Sequence, residues 1–161
     1  EAAWGRGNAF VALGLALALS DIPVTHAAHA RLLAIYQQHI STLLNHQDVD
    51  GMWHNIIDLP GSWGELSATA MIATAIQRGV DNQWLDAFYQ NVVERAWEAV
   101  VLRTDDDMGF TDVCESTPGQ DSFDAYLNRK ALQGRDERAG GMMLLFAAER
   151  LRARSLSRQR N

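Results

Sequence analysis

Residues 4–10 combine side chains that suit the binding of an acidic sugar. Trp4 and Phe10 offer flat apolar faces on which a sugar ring packs, and Arg6 offers a planar fork of N–H donors that matches a carboxylate. Gly5 and Gly7 leave the backbone free to bend and let a ligand come close. The stretch therefore predicts the floor of a site for an acidic sugar. The structural alternative is a loop that leads into a helix, with the two aromatic rings packed as a lid.

Histidines and aspartates elsewhere match metal-site patterns only in part. His26 and His29 lie three residues apart, but no cysteine or carboxylate follows at a spacing typical of zinc ligands, so surface histidines are the preferred interpretation. Asp48 and Asp50 precede Gly51 as in a calcium loop, yet the third ligand and the closing glutamate of that loop are absent from the sequence. We therefore predict no metal site. The sequence also has no phosphate-binding glycine loop and no dinucleotide fingerprint, so we expect no cofactor.

Three further polar candidates are better explained by structure than by catalysis. Glu65 directly precedes a predicted helix, where a carboxylate caps free N–H groups and is favoured by the helix dipole. Residues 105–107 are consecutive aspartates and predict a solvated turn. Cys114 has no convincing base nearby in the sequence, and we predict that it is a small buried apolar group. The sequence therefore assigns no catalytic residue.

Composition excludes several classes of protein. The chain has 161 residues, enough for one domain with a hydrophobic core, and 47% of them are hydrophobic and 21% charged. The net charge of −6 argues against general binding to nucleic acid. No apolar run reaches the ~20 residues of a membrane helix. We therefore expect no membrane partner. A single cysteine cannot form an internal disulfide, which fits a reducing compartment, so we expect a cytoplasmic protein.

Hydrophobic periodicity predicts helices separated by two long loops. Asn8 is expected to cap the first helix, Asp81 to cap the fourth, and Gly79 to end the third. No run of alternating apolar and polar residues is long enough to predict a strand. The predicted helices cover residues 9–20, 26–46, 67–79, 82–104 and 138–149.

The elements form a weak internal repeat. Each unit is a loop with glycine and aromatic residues, then a buried helix of small residues, then an amphipathic outer helix. Gly51 and Gly109 occupy equivalent places in successive units, about 58 residues apart. Stacked helical hairpins of this kind form solenoids or closed toroids with the loops at one end. We therefore predict an all-α fold with about two and a half hairpins.

Five segments in order resemble sequence patterns of one enzyme family. Residues 4–10, WGRGNAF, resemble the WxRGNGW signature of unsaturated glycuronyl hydrolases, which are glycoside hydrolase families 88 and 105 and include unsaturated rhamnogalacturonyl hydrolases. Ala9, Phe10 and Ser116 replace a glycine, a tryptophan and a glycine of the family patterns. The other segments that resemble the family are DGMWH at 50–54, ELSATAM at 65–71, VCESTPG at 113–119 and YLNR at 126–129.

This resemblance implies a fold and a reaction. Family members are six-hairpin (α/α) toroids about twice as long as this chain, so residues 1–161 would form a single helical domain that is the C-terminal half of the barrel. The substrate would be a rhamnogalacturonan-type oligosaccharide with a C4–C5 double bond in its terminal uronic acid. The enzyme hydrates that bond, and the resulting hemiketal falls apart. The aspartates that serve as general acid and base would belong to the N-terminal half.

The resemblance also implies substrate contacts on this chain. Arg6 would pair with the uronate carboxylate, while Trp4 and Phe10 would form the walls of the sugar subsite. Two hydroxyl donors and one imidazole at the opening complete the implied contacts: Ser116, Thr117 and His54.

Two other functions are compatible with the same residues. One is a non-catalytic helical-repeat module that binds an acidic oligosaccharide or a protein partner. The other is a purely structural remnant. In each case half a toroid would expose an apolar face larger than proteins usually leave bare, so we expect a homodimer or pairing with an N-terminal half.

Overall fold

The computed structural model describes residues 2–115 and 118–160, with side chains described as far as Ser155. The fold is mostly helical. A short 3-10 turn, Ala87–Tyr89, precedes the fourth helix. The helices are α1 Gly5–Asp21, α2 His29–Leu44, α3 Leu66–Asp81, α4 Gln90–Leu102, α5 Phe123–Leu127 and α6 Glu137–Arg160, and the strands are β1 Phe110–Cys114 and β2 Ala131–Gly134.

Helix α3 is the centre of the described fold. It packs against α1 on one side and α6 on the other, and it also contacts α4, while α2 packs against α1. Small residues on α3, among them Ala70 and Ala73, are fully buried. Because these side chains are short, the neighbouring helices approach closely and form one apolar core.

The start of α3 confirms one prediction and its end corrects another. Glu65 caps the helix by accepting hydrogen bonds from the backbone N–H groups of Ser67 and Ala68. The helix does not stop at Gly79 but continues to Asp81, which is therefore not the cap of α4. Gly79 is instead a packing position, because an added Cβ would overlap the hydroxyl of Tyr36.

Helix α1 begins earlier than the apolar periodicity predicts. Trp4, not Asn8, is at the N-cap position, and Asn8 instead donates a side-chain hydrogen bond to the Trp4 carbonyl. Helix α1 packs on α3, but its Phe10 and Leu17 side chains are 41% and 37% exposed. Helix α1 is therefore only partly buried, although most of its residues are apolar.

Helix α4 begins later than predicted, at Gln90 instead of residue 82. Gln83 has a positive φ of 61°, which no α-helix accommodates, and so it forces a turn after α3. Asp86 then accepts a hydrogen bond from the Phe88 amide and starts the 3-10 turn. The turn at Gln83 therefore decides where α4 begins, even though the apolar spacing of the segment is helical.

Two strands lie in the second long loop, where the all-α prediction has none. β1 and β2 pair antiparallel, with Val113 opposite Leu132 and Cys114 opposite Ala131. The register is irregular before Val113, and Asp112 has a positive φ of 61°. That irregularity removes the alternating pattern that would have predicted a strand.

The two repeated loops share one hydrogen-bond pattern. The side chain of Asp48 accepts from the amides of Asp50 and Met52, and its backbone N–H donates to the Met52 carbonyl. Asp105 makes the same contacts with the amides of Asp107 and Gly109. The internal repeat is thus supported at atomic detail.

The register of that repeat differs from the predicted one by one residue. Gly51 and Met108 occupy the same place in the two turns, with positive φ angles of 82° and 60°. Gly109 is therefore equivalent to Met52 and not to Gly51. In the part of the chain that the structure describes, no helix is long and apolar enough to cross a membrane.

Candidate functional site

Arg6 is buried at the start of α1 and is only 2% exposed. Its Nε donates to the hydroxyl of Ser67 at 2.9 Å, and one terminal nitrogen donates to the carbonyl of Cys114 at 2.7 Å. The same nitrogen lies 3.3 Å from a carboxylate oxygen of Glu65. The guanidinium therefore joins the first turns of α1 and α3 to the end of β1.

Glu65 is the acceptor at the centre of this arrangement. The side chain is fully buried and accepts from the amides of Ser67, Ala68 and Cys114, as well as from the Ser67 hydroxyl. A buried carboxylate needs such partners, because an unpaired charge in the interior is very costly. The predicted capping role of Glu65 is confirmed, and the link to Arg6 explains why the cap is charged.

A small cavity of about 90 Å³ opens beside this ion pair. It lies where the first turns of α1, α3 and α6 come together. Polar groups from all three helices face it alongside apolar walls. The lining residues are Arg6, Phe10, Ser67, Met71, Arg138 and Met142.

Trp4 packs beside the ion pair in a separate aromatic cluster. Its ring lies 5.7 Å from that of Tyr126, and the guanidinium carbon of Arg129 lies 4.6 Å from its ring centroid, a distance typical of a cation–π contact. The indole Nε1 of Trp4 is buried and has no hydrogen-bond acceptor among the described residues. A buried donor of this kind usually has a partner, so a ligand or a water molecule is expected to accept from it.

His54 holds the loop before α3 and does not line the cavity beside Arg6. Its Nε2 lies 2.7 Å from a carboxylate oxygen of Asp48, and its Nδ1 lies 3.2 Å from the carbonyl of Leu59. Partial burial alone would raise the pKa of Asp48, but hydrogen bonds from His54 and from the amides of Met52 and Asp50 outweigh it and hold that pKa below its ordinary value.

The structure thus brings two of the six implied contacts into one cavity, Arg6 and Phe10. Trp4 lies in the neighbouring aromatic cluster, and His54 lies in the loop closed by Asp48. Ser116 and Thr117 lie outside the described residues. Within the described ranges there is no group of three or more histidine, cysteine, aspartate or glutamate side chains placed to hold a metal ion.

Sequence reasoning missed Arg138, which lines the same cavity as Arg6. Its guanidinium hydrogen-bonds to Asp136 at 2.7 Å, which holds the pKa of Asp136 below its ordinary value. Nothing local in the sequence distinguishes Arg138 from the other arginines near the C-terminus, because the cavity forms only when three helices meet. Tyr126 and Arg129, by contrast, belong to a segment that already resembled the family.

Comparison with known proteins decides the family. Residues 1–154 match the profile of Glycosyl Hydrolase Family 88. The chain belongs to this family. The resemblance predicted from the five segments is therefore confirmed.

Relatives in and near this family are much longer than the chain. It is 30% identical over 153 residues to the unsaturated rhamnogalacturonyl hydrolase YesR of Bacillus subtilis, covering 94% of this chain and 42% of YesR. It is 30% identical over 130 residues to an unsaturated 3S-rhamnoglycuronyl hydrolase of Formosa agariphila, covering 78% of this chain and 34% of that protein. The chain therefore spans less than half the length of these curated relatives.

A solved structure supports the same fold assignment. The described helices superpose on a possible member of glycoside hydrolase family 105 from Salmonella enterica with a TM-score of 0.87 and 27% identity. The match covers 94% of this chain and 40% of that one. This similarity is consistent with a fold of helical hairpins arranged as in an (α/α) toroid.

Proposed function

We propose that this family 88 chain supplies the substrate-binding half of a glycoside hydrolase that acts on unsaturated uronyl oligosaccharides of the rhamnogalacturonan type. The Bacillus and Formosa relatives, which are named as unsaturated rhamnogalacturonyl and 3S-rhamnoglycuronyl hydrolases, support this substrate class. In the proposed reaction, the C4–C5 double bond of the terminal uronic acid is hydrated and the hemiketal that forms falls apart. The general acid and base lie outside this chain.

The single observation that carries the proposal is the cavity shared by Arg6 and Phe10. A guanidinium at the base of a cavity favours a carboxylate, and a half-exposed phenyl ring at its rim provides an apolar surface for a sugar ring. The cavity of about 90 Å³ is smaller than the roughly 150 Å³ of a cavity that holds benzene, so it has room for a carboxylate group but not for a whole sugar. The uronate carboxylate would enter the cavity and its ring would lie against Phe10.

Four further residues complete the proposed contacts. Trp4 offers its unsatisfied indole N–H as a donor to a sugar hydroxyl. Ser116 and Thr117 follow soon after Cys114 in the sequence, and the Cys114 carbonyl already accepts a hydrogen bond from Arg6. The hydroxyl groups of Ser116 and Thr117 would be further donors to the ligand. His54 would line the outer part of the opening.

We also propose that the chain is one helical domain that forms about half of a six-hairpin barrel. The open sides of the helical layer support this arrangement, since α1 exposes Val11 and Leu17 and α6 exposes Leu144. Such apolar strips at both sides of the layer are expected where further helices pack. A second copy of the chain, or an N-terminal half, would supply those helices.

Calorimetry with the unsaturated galacturonyl–rhamnose disaccharide tests the binding role. The wild-type chain is expected to bind it, and Phe10→Ala is expected to weaken binding about tenfold, since the ring loses its apolar support. Leu17→Ala is the matched control, because it removes an apolar side chain from the same side of α1 about two turns away. Equal affinities for the two variants would contradict the placement of the sugar.

A chimera tests the catalytic part of the proposal. In it, this chain replaces the matching segment of the Bacillus relative, and hydration is followed by the loss of absorbance of the conjugated double bond. We expect activity in the chimera and none in this chain alone. A chimera that folds and binds the disaccharide without turnover would favour the non-catalytic binding module instead.

A further inference from the structure

Arg138, at the beginning of α6, lines the same small cavity as Arg6. Its side chain is 44% exposed, whereas Arg6 is only 2% exposed. Of the two guanidinium groups that line the cavity, only that of Arg138 is readily reached from solvent. An incoming anion would therefore meet Arg138 first.

The guanidinium of Arg138 has donors to spare. Its Nη1 donates to the carbonyl of Glu115 at 2.9 Å, its Nη2 to Asp136 at 2.7 Å, and its Nε makes a long contact of 3.4 Å with the other oxygen of Asp136. Each terminal nitrogen carries two hydrogens, so one N–H on each is left without an acceptor among the described residues. A carboxylate can accept from these remaining N–H groups, and hydrogen bonds between ionised partners are stronger than neutral ones.

The charged groups around the cavity also favour the binding of an anion. Glu65 is fully buried and already accepts from several donors besides Arg6, so its charge is well compensated. Asp136 accepts from Arg138 and also from the amide of Ala139, which it caps. The other lining residues are apolar or carry a hydroxyl, so among the described residues no carboxylate lines the cavity.

We infer that Arg138 is a specificity-determining residue, which binds the carboxylate of the ligand directly and makes the site select a uronate over a neutral sugar. The inference rests on the proposed function, because it takes the acidic sugar as the occupant of the cavity. Arg6 remains at the base of the cavity, held by Glu65 and Ser67, and contributes fixed positive charge. Arg138 contributes the hydrogen bonds that are made only when ligand is present.

Binding of two probes by calorimetry tests the inference. The probes are the unsaturated galacturonyl–rhamnose disaccharide and its primary amide, which is neutral but nearly the same size. The wild-type chain is expected to prefer the acid by about tenfold or more, as for hydrogen bonds to a charged group in general. Arg138→Gln should remove most of that preference and leave the affinity for the amide unchanged.

Two further variants separate ligand binding from a structural role. Arg135→Gln is the matched control, because it removes the same charge from an exposed residue that does not line this cavity. Asp136→Asn keeps a good N-cap for α6 but removes the carboxylate that competes for Arg138. If Arg138 binds the ligand, Asp136→Asn tightens binding of the acid, whereas a merely structural ion pair predicts weaker or unchanged binding.

The outcomes distinguish failure of this inference from failure of the proposed function. A wild-type preference for the acid that survives in a folded Arg138→Gln variant overturns the role of Arg138 and leaves the proposed function standing. A wild-type chain that binds both probes equally, or neither, contradicts the proposed function and the Arg138 assignment together. Circular dichroism of each variant establishes that the helices are intact.

Discussion

Arg6 and Glu65 form an ion pair at 3.3 Å in which neither side chain is more than 2% exposed. The pair joins helices that are far apart in the sequence, and the same carboxylate caps α3 and receives the amide of Cys114. The proposed carboxylate subsite therefore lies directly on a part of the core that holds α1, α3 and β1 together.

Removing the carboxylate should destabilise the fold strongly. Glu65→Ala leaves the Arg6 charge uncompensated and the first amides of α3 without an acceptor. We expect a loss of about 3–5 kcal/mol in the free energy of unfolding, as for other broken buried pairs. Urea denaturation measures it, with Glu98→Ala, at an exposed position on α4, as the control. A loss below 1 kcal/mol, or the same loss in both variants, would show that the pair is not important for stability.

Two glycines in helices should respond oppositely to the same substitution. A Cβ at Gly79 overlaps the Tyr36 hydroxyl and lies 2.8 Å from Leu85, so Gly79→Ala should cost about 1–3 kcal/mol. Gly14 has nothing within 4 Å of an added Cβ, and Gly14→Ala should stabilise α1 by about 1 kcal/mol through helix propensity. Thermal unfolding of both variants checks the signs. The double variant Gly79→Ala/Tyr36→Phe should recover part of the loss, and no recovery would argue against this clash.

Because of the Asp48–His54 contact, the free energy of unfolding should depend on pH in the acid range. Since the folded pKa of Asp48 is lowered, its contribution is fully present above the ordinary carboxyl pKa of about 3.9 and is lost as the pH falls through the lower folded value. Asp48→Asn should therefore reduce stability at pH 7 and make little difference at the acid end of the window. Urea denaturation at several pH values measures the difference in the free energy of unfolding between the wild-type chain and the variant. The control is Asp50→Asn, which changes an exposed carboxylate in the same turn. A difference between wild type and Asp48→Asn that does not change with pH would contradict the lowered pKa of Asp48.

The exposed side of α1 should drive association of the isolated chain. Leu17 is 37% exposed on α1, and Leu17→Lys would place a charge in the proposed contact with further helices. We expect the wild-type chain to self-associate in light scattering and the variant to be largely monomeric. Leu102→Lys, at an 83% exposed position on α4, should leave association unchanged. A monomeric wild-type chain would contradict the proposed pairing.

Local signals predicted the parts of the fold that depend on neighbours in the sequence. The cap by Glu65 follows from a carboxylate just before a helical pattern, and it was found because both partners lie within three residues. The family was recognisable for a similar reason, since each motif is a short contiguous segment. The start of α4 was misplaced because apolar spacing does not reveal the positive φ of Gln83.

Features made by distant segments were out of reach. Val113 pairs with Leu132 only after the chain has folded, and an irregular register at the start of β1 hides the alternation. The cavity beside Arg6 needs residues from three helices, so Arg138 could not be distinguished from other arginines. Arg6 itself was found by its chemistry, but the sequence did not indicate that Glu65 would be its partner.

The two turns closed by Asp48 and Asp105 have a practical consequence. In each turn, one carboxylate accepts hydrogen bonds from two backbone amides of the same turn and so helps to fix the shape of the backbone. Val49 stands within the first turn with its side chain 98% exposed. A fluorescent or paramagnetic tag attached to residue 49 would lie in the loop that contains His54. Its signal would report carbohydrate binding, and the tag would not disturb the packing of the helices.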